Sequence, residues 1–184
     1  MKILAISGSL RAGSYNTALA RAAREHAPDG VEVELYDGLE ALPPFDADTD
    51  GAAEPAAVRD LRLRIGTSDA VLFVTPEYNG SIPGSLKNAV DWASRPHRDA
   101  ALSGKTVAVA GATPGQYGAM WAQHDLQRVL GIAGARVIGG ELAVPRAHEV
   151  FDSEGRLTSP VIAERLRNHL AALVDQAAPS ALAA

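Results

Sequence analysis

The sequence predicts a doubly wound α/β domain, and three observations carry that prediction. Five short apolar segments, Ile3–Ile6, Val31–Leu35, Ala70–Val74, Thr106–Ala110 and Val137–Leu142, recur along the 184 residues. Three of them are nearly continuous rather than alternating, as strands covered on both faces of a parallel sheet are. Helical spacing fills the intervals, so strand and helix alternate along the whole chain.

Each element has its own signal. After the first strand, Ser14 or Asn16 can cap a helix marked by Ala18, Leu19, Ala22, Ala23 and His26, which Pro28-Asp29-Gly30 ends. The second strand leads into a long polar loop from Leu42-Pro43-Pro44-Phe45 through Pro55. Val58, Leu61, Ile65 and Ser68 mark the second helix, and Leu86, Ala89, Val90 and Ala93 the third. Leu126, Val129 and Leu130 mark the fourth; Val161, Ile162, Leu166, Leu170 and Leu173 mark the last. Residues 1–176 are therefore expected to form one domain, and 177–184 a tail with little to bury.

Composition excludes several classes of function. Hydrophobic residues are 47% and charged ones 21%, an ordinary globular balance. A chain of this size buries about 70% of its unfolded surface, enough for a core without covalent staples. Lys and Arg number 17 against 22 Asp and Glu, a net charge of −5, which argues against a nucleic-acid partner. Cysteine is absent, which removes disulfide scaffolds, thiolate metal sites and cysteine nucleophiles. The apolar start, Ile3–Ile6, falls short of the roughly 7–15 residues of a secretory core, and no stretch reaches the ~20 of a membrane span. A cytoplasmic protein without a membrane partner is expected.

The first strand runs into Ser7-Gly8-Ser9-Leu10-Arg11-Ala12-Gly13-Ser14-Tyr15-Asn16-Thr17. A loop entering a helix N-terminus favours anions, because unpaired N–H groups and the helix dipole face it. A dinucleotide fingerprint fails at Leu10, where a glycine is required. Gly8 and Gly13 have Walker A spacing, but Ser14 and Tyr15 follow and no lysine does. What remains is hydroxyls from Ser9, Ser14 and Thr17, the Asn16 amide and the Arg11 guanidinium, a set suited to one terminal monophosphate.

The third strand runs into Thr75-Pro76-Glu77-Tyr78-Asn79-Gly80-Ser81-Ile82-Pro83-Gly84-Ser85 and then Leu86-Lys87-Asn88-Ala89-Val90-Asp91-Trp92. In the strand order 2-1-3-4-5 the switch point lies between strands one and three, so this loop and the first line one crevice. Its prolines and glycines set an irregular backbone whose polar groups are free to meet a ligand edge, and Tyr78 offers a ring. On these two motifs the chain resembles the NAD(P)H-dependent FMN reductase family, which includes bacterial quinone, chromate and azo-dye reductases.

The resemblance implies a flavodoxin-like fold, a five-stranded parallel sheet in the order 2-1-3-4-5 with helices on both faces. It implies bound FMN, NADPH or NADH as donor, a small-molecule acceptor, and a homodimer or homotetramer in which a neighbouring subunit completes the site. Ser9, Arg11, Ser14, Asn16 and Thr17 would hold the phosphate and ribityl end. Pro76, Glu77, Tyr78, Asn79 and Gly80 would meet the isoalloxazine, largely through backbone. Lys87, Asn88 and Asp91 would brace the loop, with Trp92 in the core or an interface. In the loop after the fourth strand, Gly111 through Trp121, the contacts in a protein of this kind are Thr113, Gly115 and Gln116. Gly118-Ala119 stands where the family often has two glycines, and Met120-Trp121 is bulkier than usual, so these two either shape the outer pocket or pack in the core.

The five histidines show no metal-ligand spacing, and Asp46, Asp48 and Asp50 lack the glutamate a calcium loop needs, since position 57 is Ala57. The three aspartates read as solvated loop charges, and no metal is expected. The expected activity is reduction of quinones, flavins, azo compounds or metal oxyanions by ping-pong hydride transfer through FMN. No catalytic side chain is required, because the flavin carries the chemistry. The rival readings are a flavodoxin-like electron carrier and a non-catalytic flavin-binding module.

Overall fold

The computed structural model, which describes residues 1–51, 54–97 and 99–178, is built on a parallel sheet. In chain order its elements are β1 (Lys2–Ser7), α1 (Tyr15–Glu25), β2 (Glu32–Tyr36), α2 (Ala56–Thr67), β3 (Ala70–Val74), α3 (Gly84–Ala93), β4 (Thr106–Ala112), α4 (Met120–Ile132), β5 (Arg136–Val137), β6 (Leu142–Val144), α5 (Ala147–Val150) and α6 (Pro160–Ala177). The strands run in the order β2-β1-β3-β4-β5, with β6 also paired to β4. Every pairing is parallel, as Ile6↔Tyr36, Ile6↔Phe73 and Phe73↔Val109 illustrate. This is the flavodoxin-like, doubly wound arrangement expected.

Burial explains why the central strands read as continuous apolar runs. Every residue of β3 and β4 is buried. Alternate residues feed two separate cores, as the twofold period of a strand demands. Leu72, Val74, Ala108 and Ala110 meet α1 and α6 on one face, where Ala18, Ala22 and Ala23 let α1 approach closely. Val71, Phe73, Val107 and Val109 meet α2, α3 and α4 on the other, around Trp92. Trp92 is therefore a core residue, and its indole N–H donates to the Pro43 carbonyl at 2.9 Å.

Three expectations need correction. The fifth strand, read as Val137–Leu142, is two short strands on the same edge of β4. From Val107↔Val137 to Ala110↔Leu142 the chain advances three residues on β4 but five on its partner. Gly139-Gly140 takes up the difference: Gly140 adopts φ +87°, a left-handed conformation no extended strand accommodates. The polar loop through Pro55 is not merely solvated. It carries a 3-10 turn over Ala47–Thr49, and Arg62 pairs with Asp50 at 2.9 Å and with Glu54 while donating to the Trp92 carbonyl. Asp50 is thus ion-paired rather than a free loop charge. The short α5 has no period long enough to be read from sequence. Of the expected tail, residues 179–184 lie outside the described residues, while α6 extends through Ala177. Among the described residues no helix is long and apolar enough to cross a membrane.

Candidate active site

The carboxyl ends of β1, β3 and β4 lie side by side, which brings three distant loops together. In the first, Ser14 is the cap of α1: its hydroxyl accepts the N–H groups of Asn16 at 3.2 Å and Thr17 at 3.4 Å. That resolves the choice between Ser14 and Asn16. The Asn16 amide is buried and exchanges two 2.9 Å hydrogen bonds with the backbone of Ala112, fastening α1 to the end of β4. Thr17 shares a 3.0 Å hydroxyl contact with Ser7. Arg11 stands exposed, its guanidinium donating to the Gly13 carbonyl at 3.1 Å. Gly8 is required by packing, since a Cβ there would come within 2.8 Å of Leu86.

In the second loop, Thr75 donates its hydroxyl to the Pro76 carbonyl at 2.7 Å. Tyr78 and Ser81 exchange backbone hydrogen bonds of 3.0 and 3.1 Å around Asn79 and Gly80. Both central residues are left-handed, φ +54° and +75°, the pattern of a type I′ turn that Asn-Gly favours. The Glu77 carboxylate accepts the Ala122 N–H at 3.1 Å and caps α4, which has no side-chain cap of its own. Asp125 accepts the Ser81 hydroxyl at 2.5 Å, and that bond, with Arg128 beside it, holds its carboxyl below the usual range. Lys87 pairs with Asp91 at 2.7 Å within α3, and Asn88 holds Phe45 and Pro43, so these residues brace the helix and tie it to the loop after β2 rather than to the loop after β3.

In the third loop, Thr113 and Gly115 are pinned from behind. The Arg146 N–H donates to the Gly115 carbonyl and the Ala147 N–H to the Thr113 carbonyl, each at 2.9 Å. Gly118 is set by packing rather than by a ligand: its φ is +58°, and a Cβ would meet the Val144 nitrogen at 2.6 Å. Gln123 is fully buried, with its amide N–H on the Gly118 carbonyl and its oxygen unpartnered. Among the described residues the non-glycine positions with positive φ are Asn79, Ala119 and Arg146, all at this end of the sheet. Such conformations cost on the order of 1 kcal/mol or more each, and they concentrate where loop geometry serves a site.

Together the loops enclose a crevice of about 150 Å³. Ser9, Arg11, Ser14 and Asn16 line it from the first loop, Pro76, Glu77 and Tyr78 from the second, and Thr113 from the third. Thr17, Asn79, Gly80, Gly115 and Gln116 are outside that lining. Tyr15, Ala112 and Pro114 also line it and were not singled out from sequence, although each sits inside a recognised loop. Tyr15 stacks on Phe151 with centroids 6.0 Å apart, a partner no local pattern reveals.

The donor set fits a flavin with an anionic tail. Arg11 is the cationic side chain of the described lining, beside the Ser9 hydroxyl and the start of α1. The volume is below the ~300–1,000 Å³ of pockets that enclose a small molecule, so a ligand held here keeps part of its surface open. A larger hollow of about 470 Å³ lies between α3 and α4, near Arg95, Arg128 and Ile132. None of the predicted contacts reaches it, and two of its cations are already ion-paired, Lys87 with Asp91 and Arg128 with Asp125. The crevice at the switch point is therefore the candidate site.

Comparisons with known proteins bear on the family and the fold. The family model for NADPH-dependent FMN reductase matches residues 1–149. An NAD(P)H-dependent FMN reductase of Pseudomonas aeruginosa is 40% identical over 174 residues, covering 94% of this chain and 93% of its own. A quinone reductase of Pseudomonas putida is 38% identical over 175 residues, 95% and 91% of the two chains. Among solved structures, the flavoenzyme NAD(P)H:(acceptor) oxidoreductase FerB of Paracoccus denitrificans superposes with a TM-score of 0.86 at 36% identity, covering 96% of each chain.

Proposed function

Because the chain belongs to the NADPH-dependent FMN reductase family and is an NAD(P)H-dependent oxidoreductase of the FMN and quinone reductase type, we propose that its crevice holds FMN and that donor and acceptor use the open face in turn. The observation that carries this reading is the convergence of three loops on one crevice with Arg11 beside the start of α1.

Arg11, Ser9 and the first turn of α1 bind the phosphate; Asn16 and Thr17 act by holding that turn against β4 and β1. Pro76, Glu77, Tyr78, Thr113 and Pro114, which line the crevice, border the ring, and Asn79, Gly80, Gly115 and Gln116 shape the loops behind them. FMN, when bound, supplies two-electron transfer from a nicotinamide to an acceptor. The protein then has to hold the reacting groups in near-attack geometry, about 3–3.5 Å apart. Backbone N–H groups of the loop after β4 would stabilise negative charge that develops on the ring. The one carboxylate of the described lining, Glu77, is engaged with α4, so no proton-transfer pair is asked of the crevice.

The acceptor range we propose covers quinones, flavins, azo compounds and metal oxyanions. The small crevice also supports a homodimer or homotetramer in which a neighbouring subunit completes the site. The test is the absorption spectrum of purified protein, its bleaching by NADPH under argon, and initial rates with both substrates varied. A yellow protein, bleaching and parallel double-reciprocal lines are expected. A colourless protein that takes up no added FMN would overturn the site, and intersecting lines would overturn the alternating use of one face.

A further inference from the structure

Three large aromatic side chains stand about half exposed at the carboxyl end of the sheet: Tyr78 at 50%, Tyr117 at 49% and Trp121 at 49%. Tyr78 belongs to the crevice lining. Tyr117 and Trp121 belong to neither core cluster, so the fold gains no core packing from their bulk. Their rings are nonetheless ordered against each other, with centroids 4.9 Å apart and planes tilted by 58°.

Hydrogen bonds fix where this pair sits. The Met120 N–H donates to the Tyr117 carbonyl at 3.2 Å, closing the turn between the two rings. The Ala122 N–H, next to Trp121, donates to the Glu77 carboxylate at 3.1 Å, and Ser81 donates to Asp125 one turn further on. The segment that carries Tyr78 is therefore stitched at two points to the turns that carry Trp121. Tyr78 and Glu77 line the crevice, and Trp121 directly precedes the residue whose N–H Glu77 accepts, so the aromatic pair is carried next to that lining.

We infer that Tyr117 and Trp121 form an acceptor-selecting wall, which favours planar conjugated acceptors of the quinone class over compact anionic ones. The inference rests on the reading of the crevice as a flavin site. Aromatic rings gain from offset or edge contacts with another π-system. A compact, strongly hydrated anion has no π-face to offer and gains nothing from the pair. Selection then acts on acceptor binding, leaving the phosphate end to other residues.

The test uses the holoenzyme with NADPH as donor, and menadione or ferricyanide as acceptor. In Trp121→Ala the KM for menadione should rise about tenfold with kcat altered less than about twofold. The preference for menadione over ferricyanide in kcat/KM should fall by a similar factor, and Trp121→Phe should recover most of it. Menadione added without donor should quench tryptophan emission saturably, and Trp121→Phe should remove that component, because the other tryptophan, Trp92, is fully buried. Equal losses with both acceptors, or quenching unchanged in Trp121→Phe, would overturn the wall. So would an altered oligomeric mass in Trp121→Ala with the acceptor preference intact, which would assign the pair to a contact with a second copy. A wild type without FMN would sink the flavin reading instead, while the quenching measurement would still decide whether the aromatic pair holds a quinone.

Discussion

The crevice at the carboxyl end of the sheet encloses about 150 Å³ and the hollow between α3 and α4 about 470 Å³, yet their linings differ more than their volumes. The hollow is bounded by two helices whose charged side chains largely neutralise one another within a turn, as Lys87 and Asp91 do. The crevice draws on three segments separated by dozens of residues, and among the described residues the guanidinium of its cation, Arg11, bonds only a carbonyl of its own loop. Volume records where two helices fail to touch. Convergent donors record where the chain has been arranged around something that is neither helix nor strand.

The largest expected effect that breaks this contrast comes from Asn16. Asn16→Ala strips both partners from the buried Ala112 backbone and should destabilise the fold by on the order of 3 kcal/mol. Chemical denaturation reads the stability, and retained FMN after dialysis reads the site; loss of both is expected. Arg11→Ala comes next. It should weaken FMN binding by on the order of 1.5–3 kcal/mol, roughly 10- to 150-fold, with little change in stability. Arg95→Ala in the hollow should shift FMN affinity less than about twofold, and a larger shift there would transfer the site to α3 and α4. Ser14→Ala removes the α1 cap and should cost about 1 kcal/mol, visible in the denaturation midpoint.

The smallest effect uses a group on neither hollow. His169 is largely buried, and burial holds its pKa below the ordinary 6.5. The folded chain therefore resists a proton that the unfolded chain accepts, so stability should decline as pH falls below about 6.5. Melting temperatures between pH 7.5 and 5.5 should show the decline in wild type and a flatter profile in His169→Leu. FMN affinity should not follow that profile. If it did, the crevice and the α6 side of the sheet would be coupled.

Much of the fold was readable because its signals are local. The apolar runs of β1, β3 and β4 and the helical spacing between them need only a window of neighbours. Both main loops of the site could be located for the same reason. Less could be read of what each side chain does. Glu77 is a glutamate in a recognised motif, yet its carboxylate caps a helix 45 residues further on. Met120 and Trp121 could be placed on α4 but not on its inner or outer side, and Trp121 is outside.

The amino-acid order by itself determined the alternation of strand and helix, the absence of thiol chemistry, and the segments where an anion and a flat ring could be met. Tertiary structure alone decided which donors stay available, since Asn16 finds its partner 96 residues away at Ala112. It also decided that the fifth strand divides around Gly139-Gly140, because the register on β4 is a long-range property. Periodicity and turn chemistry are short-range and survive in one dimension. Hydrogen-bond partnership depends on which distant backbone groups the sheet brings within about 3 Å, and only the folded chain specifies that.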